Sequence, residues 1–96
     1  MTIWKYKVPI QDEFSIELYE GYKILSVQTQ GADQQFGGQT EGVYIWVLLD
    51  PNANPVTVEF SLYGTGHRIE MLNEQEFIGT FQMLDGRLVY HLFKCL

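Results

Sequence analysis

The apolar run Val-Tyr-Ile-Trp-Val-Leu-Leu at residues 43–49, closed by Asp50, is the strongest strand signal in the chain. Its β-branched and aromatic residues suit a pleated surface, and alternation divides them into two rows. Val43, Ile45, Val47 and Leu49 form one row, and Tyr44, Trp46 and Leu48 the other. Both rows are apolar, which predicts a strand buried on both sides in the middle of a sheet. Shorter stretches alternate between apolar and polar. Residues 2–8 set Trp4, Tyr6 and Val8 against Ile3, Lys5 and Lys7, and stop at Pro9, which has no N–H to donate. Residues 13–18 set Phe14, Ile16 and Leu18 against Glu13, Ser15 and Glu17. Residues 22–30 make a third strand with Leu25 and Val27 on its inner face. Residues 56–63 turn Val56, Val58, Phe60 and Leu62 inward. The stiff Asp-Pro-Asn-Ala-Asn-Pro turn at 50–55 predicts that this strand pairs with 43–49 as an antiparallel hairpin.

The last hairpin is set by Asp85-Gly86, a pair suited to two turn positions with positive φ. That turn places Met83 opposite Leu88, Phe81 opposite Tyr90, Thr80 opposite His91 and Gly79 opposite Leu92. One face then holds Phe77, Phe81, Met83, Leu88, Tyr90 and Leu92 as core, and the other Ile78, Thr80, Val89, His91 and Phe93. Residues 68–76 are acidic and fit either a helical turn or a short strand around Ile69 and Met71. About seven strands at regular spacing, with no long helical period, predict one all-β domain over residues 1–96. Its architecture is a compact antiparallel β-sandwich or small barrel. A sandwich has a single inter-sheet core, so the second apolar rows call for cover from outside. A homo-oligomer, most simply a dimer, is the expected source.

Composition narrows the partners. Twelve acidic against six basic side chains give a formal charge of −6, which disfavours direct nucleic-acid binding and anionic membranes. The only cysteine, Cys95, has no partner for a disulfide, which points to a reducing compartment, and it reads as a packing or frayed-end residue. No basic region followed by an apolar core opens the chain, and no apolar run is long enough for a membrane helix. A cytoplasmic location is expected.

Catalytic patterns are sparse. His67 and His91 have no metal-ligand spacing, and no serine sits in a nucleophile elbow. His91, between apolar neighbours, reads as a satisfied, half-buried histidine. No catalytic residue, metal site or cofactor is assigned. The candidate ligand site is Gly64-Thr65-Gly66-His67-Arg68. Its glycines allow close backbone approach, successive amides can cradle an anion, and Thr65, His67 and Arg68 add donors for phosphate or carboxylate. The same residues also fit a plain tight turn. Trp46 offers a stacking surface. Phe36, alone in the twelve-residue segment 31–42 with its four glycines, either packs on the core or anchors a contact.

Three stretches carry a family likeness: Met1-Thr2-Ile3-Trp4-Lys5-Tyr6, Tyr63-Gly64-Thr65-Gly66-His67-Arg68-Ile69, and Phe77-Ile78-Gly79-Thr80-Phe81-Gln82 together with Leu88-Val89-Tyr90-His91. With them the chain resembles a family of small proteins encoded by bacteriophages and prophages. The resemblance implies a setting in the cytoplasm of a bacterial host and carries no catalytic residues. The resulting expectation is a non-enzymatic phage accessory protein that sequesters or blocks a host component, with anti-defence as its expected role. Its target would be a small anionic ligand such as a nucleotide signal, or a host protein. A small structural or assembly protein of the virion is the alternative.

Overall fold

The computed structural model describes residues 1–31, 42–69 and 74–96. Seven strands follow in order: β1 (Thr2–Val8), β2 (Glu13–Tyr19), β3 (Lys23–Gln30), β4 (Gly42–Leu49), β5 (Pro55–Gly64), β6 (Gln75–Met83) and β7 (Leu88–Cys95). They form two antiparallel sheets, β1-β4-β3 and β2-β5-β7-β6, and no helix occurs among the described residues. The fold is therefore the all-β, sandwich-like arrangement that the alternation predicts.

The inner row of β4 nucleates the core. Val43, Ile45, Val47 and Leu49 are all at most 1 % exposed, and they face Val58, Phe60 and Leu62 of β5 and Leu92 of β7 across the gap between sheets. Both β4 and β5 hold their inward rows at the centre of their own sheets, and this overturns the expected hairpin between them. The turn at 50–55 instead carries the chain across from one sheet to the other, and β5 pairs with β2 and β7. An Asp50 carboxylate accepting from the Asn52 amide at 3.0 Å fixes the start of that crossing. The outer row of β4, Tyr44, Trp46 and Leu48, is only half-buried within one chain, so the strand is central but not covered on both sides.

Two bulges change the predicted faces. The register of β3 on β4 slips between Ile24 and Ser26, leaving Leu25 as the extra residue. One additional residue inverts the alternation. Ile24 and Val27 thus both face inward, and Leu25, expected inside, is 44 % exposed. In the same way β6 slips between Phe77 and Gly79. Ile78 turns onto the core, while Phe77 leaves it at 54 % exposed and packs on Phe93 of the outer face. The remaining hairpin register is as expected, with Met83 on Leu88, Thr80 on His91 and Gly79 on Leu92. At the turn, Asp85 and Gly86 both have positive φ as expected, and the Arg87 amide donates to the Leu84 carbonyl at 3.1 Å. Leu84 also has positive φ, the strand ladder ends at Met83–Leu88, and Leu88 is 40 % exposed. Residues 70–73, which include Met71, lie outside the described residues.

The sheets meet along two flanks. At one, Trp4 of β1 sets its ring edge to face on Tyr19 of β2, with centroids 5.9 Å apart. At the other, Thr29 of β3 donates to the Gln82 carbonyl of β6, and Val27 lies against Gly79. Lys94 of β7 reaches over the Tyr22 ring and pairs with Glu76 at 3.3 Å. Its hydrogen bond to Tyr22 and then its contact with Glu76 raise its pKa above the ordinary value.

A Cβ at position 79 would lie 2.6 Å from Val27 Cγ1. Gly79→Ala is expected to cost about 1–3 kcal/mol in urea unfolding by overpacking this flank. In combination with Val27→Ala the loss should be clearly less than the sum of the two, and additive losses would show that the flank is not close-packed.

Candidate functional site

The stretch 64–68 leaves the end of β5 and turns at once. Gly66 has φ +86°, the left-handed region that glycine enters without steric cost. The His67 amide donates to the Gly64 carbonyl at 3.0 Å, closing the turn. The Thr65 amide donates to the Val89 carbonyl at 3.1 Å, tying the turn to β7. The Thr65 hydroxyl lies 2.8 Å from His91 Nε2, and His91 Nδ1 lies 2.9 Å from the Thr80 hydroxyl. A neutral imidazole donates at one nitrogen and accepts at the other, and each hydroxyl can take the complementary part. His91 therefore bridges the turn, β7 and β6 with both ring nitrogens engaged, which matches the satisfied histidine expected from its neighbours.

The His67 ring folds back over Gly64, so closely that a Cβ there would stand 2.7 Å from His67 Cε1. Thr65, Gly66, His67 and Arg68 are exposed, with Gly64 half-buried at the root. Beside them lies a shallow depression of about 170 Å³, lined by Asp12, Glu13, Tyr63, His67 and Arg68 among others. The 64–68 stretch is thus a rigid, glycine-dependent turn that presents His67 and Arg68 next to two carboxylates.

The structure does not bring the remaining candidates to this turn. Trp46 is on β4 of the other sheet, in the row that points away from the core, with Tyr44 at 6.2 Å between ring centroids. Phe36 lies outside the described residues. Sequence reasoning also missed a second surface on the outer face of β2-β5-β7-β6. There Tyr63 donates to Gln75 at 3.3 Å, Ser61 Oγ and Cys95 Sγ approach to 3.7 Å, and Tyr63, Phe93 and Phe77 pack in a row. Of these, Ser61, Tyr63, Gln75 and Cys95 border a depression of about 470 Å³ reaching Glu13, Ser15 and Glu59. Cys95 is therefore a half-buried strand residue and not a frayed end. The Thr80–His91 register was available from Asp85-Gly86, whereas Thr65 joins it only through the tertiary pairing of β5 with β7.

The fold and the turn together define a small antiparallel β-sandwich with an exposed, internally braced 64–68 turn at one end. The model of a domain of unknown function, DUF7352, matches residues 1–95, and the chain belongs to that family. No curated protein and no solved structure matches it.

Because the His67 ring at Gly64 is at the surface, Gly64→Ala is expected to push the ring out while changing stability by no more than about 0.5 kcal/mol. Thr65→Val should cost about 0.5–1.5 kcal/mol through the lost bond to His91. The ring-proton resonances of His67 report the first change and those of His91 the second. An unshifted His67 signal in Gly64→Ala would refute the packing of that ring on the turn.

Proposed function

We propose that this chain is a non-catalytic binding protein, acting in the phage setting that its sequence resemblance implies, which docks its 64–68 end on a host protein and blocks it. The observation that carries this reading is the bracing of the turn. A loop held in one conformation loses little entropy on binding, so contacts made by His67 and Arg68 are retained as affinity.

The chemistry favours a protein surface over a small anion as the target. An anion cradled by successive amides needs free N–H groups, but the Thr65 and His67 amides donate within the fold, and the Thr65 hydroxyl is engaged with His91. Asp12 and Glu13 line the adjoining depression, where they would repel a phosphate. A protein partner offering both donors and acceptors meets such a mixed surface without that penalty. Trp46, on the other sheet, takes no part in this contact.

Affinity purification from host lysate, followed by calorimetry with the purified partner, tests the reading. One stoichiometric protein partner is expected, and His67→Ala/Arg68→Glu should weaken it about tenfold or more, equivalent to about 1.4 kcal/mol. Partner binding that ignores these two substitutions would overturn the assignment, as would turnover of a substrate that depends on His67.

A further inference from the structure

The two broad outer faces of the sandwich carry opposite charge. On β1-β4-β3 the residues pointing away from the core include Lys5, Lys7 and Lys23, half of the six basic residues in the chain. The strand residues of that face contain no carboxylate. Tyr44, Trp46 and Leu48 run between the lysines, flanked by Ile3 at 54 % and Leu25 at 44 % exposed. Lys5 Nζ sits 4.5 Å above the Tyr44 ring, so the lysine stems extend the apolar surface. The outer face of β2-β5-β7-β6 is the complement. Its outward strand residues include Glu13, Glu17 and Glu59 and no lysine or arginine, with Arg68 of the turn beside Glu13, and next to them Tyr63, Phe93 and the exposed Phe77.

We propose that these faces bind each other, so that copies of this chain stack front to back with the lysine face of one on the glutamate face of the next. Opposed pairing sets three cations against three carboxylates and covers both aromatic rows. A symmetric pair through the lysine face would oppose six cations, and one through the glutamate face six carboxylates. Like charges confronted across an interface suppress association, which leaves the unlike pairing. Such a contact uses different patches on the two partners, so it propagates into a stack or closes into a ring and does not stop at a two-fold dimer. The three-stranded face, with strands about 4.8 Å apart and about 3.3 Å per residue along each, limits the contact to roughly 350 Å² per partner. That area is below what a stable interface buries and fits weak association, so assembly should be concentration-dependent and weakened by salt. The 64–68 turn borders the glutamate face at Glu13 and Tyr63, but the stacking contact is argued from the charged residues of the strands and does not rest on the target-binding reading.

Sedimentation velocity of the intact protein across a concentration series, at low and high salt, tests the proposal. Assemblies that grow with concentration and dissociate in salt are expected. Lys5→Glu/Lys7→Glu/Lys23→Glu and Glu13→Lys/Glu17→Lys/Glu59→Lys should each be monomeric alone, yet assemble when mixed, because each restores the complement of the other. Should either set fail to fold by circular dichroism, Lys23→Glu and Glu59→Lys serve for the same mixing test, each weakening self-association and the mixture recovering it. A wild-type monomer at every concentration would overturn the proposal. So would a dimer that survives both sets, or one abolished by only one of them, since these report a symmetric contact.

Discussion

Everything in this molecule depends on keeping two apolar rows, that of β4 and that of β5, in van der Waals contact away from water. Val43, Ile45, Val47 and Leu49 form one wall, and Val58, Phe60 and Leu62 form the other. Had the two strands paired edge to edge, both rows would have lain on the same face of one sheet, with nothing opposite to bury them. The crossing at 50–55 prevents this by placing each strand at the middle of its own sheet. From that choice follow the pairing of β1 and β3 around β4 and the pairing of β2 and β7 around β5.

The strands themselves were legible because alternation at period two is a local property, written in neighbouring residues such as Phe14, Ile16 and Leu18. Leu25 and Phe77 were misplaced for a physical reason. A bulge is one residue of slack taken up where a strand must bend to follow its partner, and that demand comes from the opposing sheet. At Ile78 the slack brings glycine to position 79, where a side chain would strike Val27. The sequence around Phe77 carries no sign of this, since Val27 is fifty residues earlier. The pairing of β4 with β5 failed for a related reason: a short proline-flanked turn joins strands in one sheet or in two equally well.

The 64–68 site was legible as a turn with exposed donors, but its internal use of those donors was not. Gly64 and Gly66 signal a sharp change of direction, and the structure supplies it at φ +86°. That Thr65 would be claimed by His91 depends on β5 meeting β7, a contact between distant parts of the chain. The placement of Trp46 follows the same rule. Its outward direction was readable from its neighbours Ile45 and Val47, but the sheet it belongs to was not.

The pairing pattern also bears on how the chain reaches this fold during synthesis. Thr2 of β1 has Leu49 as its partner, and Glu13 of β2 has Ser61. β1 can begin to pair only once Val43 is made and β2 only once Pro55 is, so both early strands wait unpaired until about half of the polypeptide exists. The local pairs β3–β4 and β6–β7 can close by short loops, but their apolar rows remain open until the rest arrives. Non-local pairing of this kind slows folding and exposes strand edges to other nascent chains. Lys5 and Lys7 on β1 and Glu13 and Glu17 on β2 put like charges along each waiting strand, so that β1 repels the β1 of another unfinished copy and β2 its β2 at the stage when they are most exposed.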